Sequence, residues 1–263
     1  MAQIITIDTL IHGLQSLGVK KGMSLLVHSS LSSFGCYVCG GATAVIEALC
    51  RTVGNNGTIM MPSHSSTFSE PSYWQNPPVA SEVWQIIRET MPAFSPLYSP
   101  VEGIGIIPAQ FVKMPKVQRS SHPMTSFAAW GKHTSFLLDK HSMDYSMGEH
   151  SPLARLLDIH GYVVFLGAPY ESNTLLHLAE IRADYTTKKQ LSQGAPIFKG
   201  KKRIWVEFNE IDYDNDDFDI ITREYCLQSV NVQYGKIENA DCTLMPAKEL
   251  VDFACRWIEK NRK

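Results

Sequence analysis

A histidine and a glutamate three residues apart form the most informative chemical pair in the sequence. His177 and Glu180 lie in a segment that follows an apolar run ending at Leu166 and continues into a predicted helix. Residues three apart share one face of a helix, so the carboxylate can fix the tautomer of the imidazole and stabilise its protonated form. Such a pair is suited to removing a proton from an attacking amine or hydroxyl group. From spacing alone, a surface ion pair and a two-residue chelate in a metal-dependent hydrolase remain alternatives.

Two further segments carry hydroxyl, imidazole and guanidinium groups. The segment from Val27 to Gly35 follows a predicted strand, and its serines and backbone amides can bind a phosphate or a carbonyl oxygen. The second segment contains Arg119, whose guanidinium matches a phosphate, and His122, whose direction Pro123 restricts. Neither has the spacing of a P-loop, a dinucleotide fingerprint or a nucleophile elbow. Both segments are equally compatible with ordinary loops.

Composition excludes several classes of function. The chain has 263 residues, 44% of them apolar, and a formal net charge of −2. Without a basic run, we expect no binding to nucleic acid. No stretch approaches the roughly 18 apolar residues of a membrane span, and no export signal is visible, so we expect a cytoplasmic protein that binds no membrane. The acidic run from Asp212 to Asp219 lacks the glycine and glutamate of a calcium loop and is expected to be a solvated surface.

The cysteines indicate neither disulfides nor a metal centre. Cys36 and Cys39 form a lone C-x-x-C motif in a predicted loop, with no second pair to complete a zinc site. We therefore expect no metal and six free thiols. The six are Cys36, Cys39, Cys50, Cys226, Cys242 and Cys255.

The elements that must position these residues form a predicted α/β fold. Apolar runs predict strands at 24–28 and 58–61, and helical spacing predicts a helix at 42–52 between them, which together make a parallel βαβ unit. We expect a single domain over 1–263, with a mixed sheet, flanking helices and long loop excursions such as 63–100. Other predicted elements are helices at 7–17, 81–89, after Gly105, from Thr174 with Asn173 as its cap, and at 247–259, a strand at 161–166, and a strand pair joined at 199–201.

Six stretches in a fixed order carry a resemblance to a known family. They are Leu26–Leu31, Gly40–Ala42, Gly57–Ser63, Arg119–Pro123, Ser151–Leu153 and Asn173–Glu180. In this order, over most of the chain from about Leu14 to Tyr185, they resemble the aminoglycoside 3-N-acetyltransferase family. The resemblance implies transfer of an acetyl group from acetyl-CoA to the 3-amino group of the deoxystreptamine ring. It further implies that His177 is the general base and Glu180 its carboxylate partner, in a direct attack on the thioester.

The same resemblance implies roles for the other segments. The amides near Ser30 and Leu31 would stabilise the thioester oxyanion. Many members of the family carry Asp where this chain has Glu171. The implied acceptor-binding residues are Glu70, Glu171, Asn173 and Glu180. The implied residues of the CoA site are His28, Ser29, Ser30, Leu31, Ser32, Ser33, Gly41, Arg119, Ser120, His122, Pro123, Ser126 and Phe127.

Two other functions are compatible with this scaffold. The chain could bind CoA and act on a different amine, or bind it without antibiotic turnover. Release of a thiol from acetyl-CoA in the presence of an aminoglycoside would distinguish the transferase from the binding protein. We expect a small amine acceptor as the partner, and a monomer or homodimer.

Overall fold

A mixed seven-stranded sheet forms the centre of the protein, for which a computed structural model describes residues 4–263. The apolar runs become the parallel inner strands β2 (Ser24–Ser29), β4 (Thr58–Pro62) and β7 (Tyr162–Leu166), with β2 between the other two. Nearly all of their residues are buried, because helices cover both faces of a parallel sheet. Antiparallel strands extend the sheet at its edges: β5 (Gln118–Arg119), β6 (Phe127–Gly131), β10 (Gln233–Ile237) and β11 (Ala240–Pro246).

The helices form a layer on each face of the sheet. Alternate residues of the inner strands point to opposite faces, so that Leu25 and Val27 pack on one side while Leu26 packs on the other. The first layer contains α1 (Ile7–Ser16), α2 (Gly41–Val53) and α4 (Ile106–Phe111). The second contains α5 (Thr134–Leu138), α6 (Pro152–Asp158), α7 (Leu176–Arg182), α8 (Phe218–Gln228) and α9 (Ala247–Asn261).

Two smaller strand pairs complete the fold. A hairpin of β8 (Gln190–Lys199) and β9 (Lys202–Ile211) holds the long excursion 63–100, which contains α3 (Trp84–Thr90). The amide of Phe94 donates to the carbonyl of Pro196 over 2.9 Å, which ties the excursion to the hairpin. The other pair is parallel and joins β1 (Ile4–Ile5) to β3 (Tyr37–Val38).

The structure confirms the βαβ unit and corrects the predicted local structure of the C-x-x-C segment and of Asn173. The C-x-x-C segment is not a simple loop, since its central residues form β3. The prediction that Asn173 caps a helix is wrong, because α7 begins at Leu176 and the side-chain Nδ2 of Asn173 donates instead to Thr222 Oγ1 at 3.4 Å. Within residues 4–263, no helix has the length and apolar content needed to cross a membrane.

Candidate functional site

A cleft of about 780 Å³ lies at the carboxyl edge of the three parallel strands. Its walls are the carboxyl ends of β2 and β4, the residues that follow β2, β4 and β7, the start of α4 with the segment before it, and His177. The chain leaves β2 toward β4 on one side, and β7 lies on the other, so this edge is a topological switch point where open α/β sheets bind ligands. The volume is within the range of roughly 300–1,000 Å³ typical of small-molecule sites.

The predicted histidine and glutamate meet at this cleft. His177 Nδ1 donates to Glu180 Oε2 over 2.7 Å, and the His177 side chain, which lines the cleft, is 16% exposed. The rings of Tyr213 and Phe218 pack on the imidazole at centroid distances of 4.7 and 4.8 Å. Within residues 4–263, His177 Nε2 has no hydrogen-bond partner. The pair therefore presents an oriented imidazole with its second nitrogen available to a ligand.

Glu180 does not contact the cleft as an acceptor-binding residue would. Its side chain is fully buried, and Oε1 accepts from Arg262 Nη1 at 2.6 Å and from the Asp214 amide at 2.9 Å. Both oxygens are thus occupied inside the protein. The position of Glu180 agrees with the predicted role of partner to His177 and contradicts the prediction of direct contact with the acceptor.

The prediction of a solvated surface holds for part of the acidic run, since Asp212, Asp214 and Asp216 are exposed while Asp217 and Asp219 are half-buried. Asp214 bonds to Glu180 through its amide, Asp217 pairs with Arg262, and Asn215 lines the cleft. Sequence reasoning missed these contacts because 34 residues separate Glu180 from Asp214. The alternation of acidic residues with Tyr213 and Phe218 was the available signal of a partly buried segment.

Two histidines on the wall of the cleft have buried nitrogens without partners. His28 at the end of β2 and His64 just after β4 each have an Nε2 atom without a hydrogen bond, and the Oγ of Ser29 is in the same state. Burial lowers the pKa of His28 to about 3. Burial is also the main cause that lowers the pKa of His64 to about 3, and the nearby His177 is the next largest cause. Both are neutral near pH 7. Orphaned buried polar atoms beside a cleft fit a ligand that supplies polar partners. His64 was missed from sequence, although its place after a parallel strand could have indicated it.

The predicted oxyanion donors are only partly available. The amide of Ser30 already donates to the carbonyl of Leu166 at 3.0 Å, so it is not free to bind a thioester oxygen. The amide of Leu31 makes no hydrogen bond within the described part of the chain. Of the two amides, Leu31 alone keeps a donor for a ligand.

The Arg119 segment lies behind the cleft instead of lining it. The Arg119 guanidinium donates to the carbonyl of Ser99 at 2.6 Å and to Ser65 Oγ at 2.7 Å, and burial lowers its pKa to about 10. His122 Nδ1 accepts from the amide of Thr125 at 3.1 Å, and the His122 side chain is buried. These contacts are structural, because they leave Arg119 no free donor fork for a phosphate.

The remaining predicted residues divide between the cleft and its surroundings. Ser32 lines the cleft with Ser29, Ser30 and Leu31. Ser33 does not line it, and its hydroxyl instead donates to the carbonyl of Gly167 at 2.7 Å, which joins the loops after β2 and β7. Outside the cleft lie Gly41 at the start of α2 and the buried residues Ser120, Pro123, Ser126, Phe127 and Asn173.

The two predicted acceptor carboxylates outside α7 have different surroundings. Glu171 is exposed and lines the cleft. Glu70 is buried away from it, and both of its oxygens pair with Arg88, at 2.6 Å from Nη2 and 3.0 Å from Nε. The position of Glu70 contradicts the prediction that it contacts the acceptor.

The residues described do not assemble a metal centre. In the range 4–263, no group of three His, Cys, Asp or Glu side chains is arranged to hold a metal ion. His177 Nδ1 and Glu180 Oε2 are hydrogen-bonded to each other, so these two atoms do not form a chelate for a metal ion. All six cysteines are free thiols, and none of these thiols lines the cleft within that range.

Comparison with known proteins identifies the family to which this fold and cleft belong. The family model for aminoglycoside 3-N-acetyltransferase matches residues 26–259, so the chain belongs to this family of acyltransferases. A prophage-derived aminoglycoside N(3')-acetyltransferase-like protein of Bacillus subtilis, YokD, is 44% identical over 97% of this chain and 93% of its own length. Aminoglycoside N(3)-acetyltransferase III of Pseudomonas aeruginosa is 32% identical over 95% of this chain and 92% of its own.

Solved structures show the same fold. The crystal structure of YokD superposes with a TM-score of 0.95 at 43% identity, covering 99% of this chain and 96% of that one. A binary complex of AAC-IIIb with CoASH gives a TM-score of 0.88 at 30% identity, covering 99% and 98%. AAC-VIa bound to sisomicin gives 0.89 at 28% identity, covering 99% of each chain.

Proposed function

We propose that this protein transfers the acetyl group of acetyl-CoA to the 3-amino group of the deoxystreptamine ring of aminoglycosides, with His177 as the general base. The observation that carries the proposal is the hydrogen bond between His177 Nδ1 and the buried Glu180, which leaves Nε2 available at the cleft. The similarity to AAC-IIIb, solved with CoASH, and to AAC-VIa, solved with sisomicin, supports the two substrates.

The side chains of the cleft define the proposed steps. Acetyl-CoA supplies the activated acetyl group, and its thioester end fits the wall formed by Ser29, Leu31 and the orphaned His28 nitrogen. His177 Nε2 takes a proton from the amine as its nitrogen attacks the carbonyl carbon, and Glu180 stabilises the resulting imidazolium. When the tetrahedral adduct collapses, the C–S bond breaks, and the imidazolium returns the proton to the departing sulfur, so that CoA leaves as the thiol. The Leu31 amide is the proposed donor to the carbonyl oxygen. We propose direct transfer without an acyl-enzyme, since none of the described lining residues is a cysteine that could carry the acetyl group.

Release of CoA thiol with sisomicin or gentamicin as acceptor tests this function. His177→Gln should lower kcat at least about a hundredfold while leaving the Kd of acetyl-CoA near the native value, because the base contributes to the reaction and not to donor binding. His12→Gln, on the exposed face of α1, is the matched control and should behave like the native protein. Full activity of His177→Gln would exclude His177 as the base.

A second candidate is acetylation of an amine with fewer charges. Among the lining residues that the structure describes, Glu171 is the one carboxylate, whereas an aminoglycoside carries several ammonium groups. Thiol release with a monoamine but not with sisomicin or gentamicin would favour this candidate. An absence of thiol release with every amine tested would overturn both.

A further inference from the structure

The buried carboxylate of Glu180 is held from two sides. Oε2 accepts from His177, while Oε1 accepts from Arg262 at 2.6 Å and from the Asp214 amide at 2.9 Å. An isolated buried carboxylate is costly, and pairing with a cation compensates for the loss of water. Arg262 supplies that cation, because its side chain is only 8% exposed.

Arg262 is itself fixed in place by several contacts. It lies just after α9, which packs against α7, and its amide donates to the carbonyl of Ile258 at 2.9 Å. Its guanidinium forms a two-pronged pair with Asp217, with Nε 2.8 Å from Oδ2, and donates to the Asp214 carbonyl at 2.7 Å. A planar fork with this many partners has one orientation, which a lysine could not reproduce.

We propose that Arg262 is a positioning residue for His177, acting through Glu180. By holding Oε1, the guanidinium directs Oε2 toward His177 Nδ1. The proton of the neutral imidazole is then kept on Nδ1, and Nε2 faces the cleft as an acceptor. Arg262 contacts neither the cleft nor His177, so it is not a catalytic residue. The kinetic consequence rests on the proposed function, whereas the tautomer does not.

The tautomer of His177 is the direct test. We would record the imidazole ¹⁵N resonances of the full-length protein at about pH 9, where an ordinary histidine is neutral. Native protein should carry the proton on Nδ1, and Arg262→Gln should show a mixture of tautomers. Arg262→Lys retains the charge without the fork and should lie between them. Arg256→Gln, an exposed arginine of α9, is the matched control and should resemble the native protein.

Kinetics provide the second readout. Arg262→Gln should lower kcat by about ten- to a hundredfold, as misplacement of a catalytic group does. The KM for acetyl-CoA should stay within twofold. Asp217→Asn loosens Arg262 without removing it, so it should shift the tautomer in the same direction if Arg262→Gln does not fold. A native tautomer and native kcat in both variants would overturn the inference.

Failure of the proposed acetyl transfer and failure of the positioning role give different experimental results. If native protein releases no thiol with any amine, the proposed acetyl transfer fails, while a tautomer shift in Arg262→Gln still supports the positioning role. If native protein is active and both variants keep the Nδ1 proton, the positioning role fails while the acetyl transfer stands.

Discussion

At the scale of residues, the neighbours of a carboxylate decide whether its charge is available to a ligand. Glu70, Glu171 and Glu180 all lie near sequence motifs of the site, yet only Glu171 is exposed on the wall of the cleft. Arg88 neutralises Glu70, and Arg262 neutralises Glu180. Both partners are distant in sequence or lie outside any motif, so the sequence could not separate the three.

Glu171→Gln should therefore weaken binding of a cationic acceptor. We expect the acceptor KM to rise up to about fivefold, as an exposed ion pair permits, with the acetyl-CoA KM unchanged. The difference should shrink as salt rises, since the screening length falls from about 10 Å at 0.1 M to about 3 Å at 1 M. Steady-state kinetics at both salt concentrations would measure it.

Glu70→Gln is the matched control for that experiment. Loss of its paired contacts with Arg88 should lower the free energy of unfolding by about 1–3 kcal/mol, while the acceptor KM stays unchanged. The assignment of Glu171 would be contradicted if its variant left KM unaltered at low salt, or if Glu70→Gln raised KM equally.

At the scale of elements, the sequence predicted the core better than the edges. Uninterrupted apolar runs predict β2, β4 and β7, because strands buried on both faces need apolar residues at every position. The strand β6, which lies between β4 and the edge strand β5, was missed, since Phe-Ala-Ala-Trp-Gly has no β-branched residue. The helix α8 was missed because its acidic approach resembled a solvated surface.

The sequence likewise predicted one part of the candidate site and not the other. The loop after β2 and the pair on α7 were found because each follows a strand or has helical spacing. The resemblance to the family implied that Arg119 and His122 line the CoA site, yet the excursion 63–100 and Thr125 satisfy their side chains internally. The sequence alone does not show which segments far apart in the chain come into contact, and those contacts decide whether Arg119 is free to bind a ligand.

Gly167 lies where the loop after β7 meets the loop after β2. Its φ is +69°, and an added Cβ would lie 2.4 Å from the Cβ of Ser33. Gly167→Ala should therefore push apart the two loops that Ser33 Oγ joins, lowering the free energy of unfolding and raising the acetyl-CoA KM several-fold. Urea unfolding and steady-state kinetics would measure the two effects.

Gly200→Ala separates backbone strain from steric clash. Gly200 has a φ of +63°, but an added Cβ would meet nothing within 4 Å. The Gly200→Ala substitution should lower the free energy of unfolding only by the left-handed backbone penalty of about 1–2 kcal/mol, and it should leave the acetyl-CoA KM unchanged. Equal effects of the two substitutions on stability and on KM would show that the contact of the loops does not shape the donor site.

At the scale of the whole molecule, buried histidines link stability to pH. Burial lowers the pKa of His28 and His64 to about 3 and that of His141 to about 4, and it lowers the pKa of His122 as well. All four lie at or behind the cleft, so the interior near the site is built around neutral imidazoles. Glu210 acts in the opposite sense, because burial raises its pKa.

The folded protein should lose stability as pH falls below 6.5. Below that value the unfolded chain protonates its histidines while the folded state keeps His28, His64 and His141 neutral, so protons favour unfolding until the pH reaches the folded pKa values of about 3 to 4. Each such histidine should contribute about 1.4 kcal/mol per pH unit within this window. Urea unfolding at pH 7, 6, 5 and 4.5 would measure the slope, and His28→Gln should reduce it by one histidine's share, whereas His12→Gln should not. A free energy of unfolding that stays constant from pH 7 to pH 5 would show that these imidazoles do not remain neutral in the folded state.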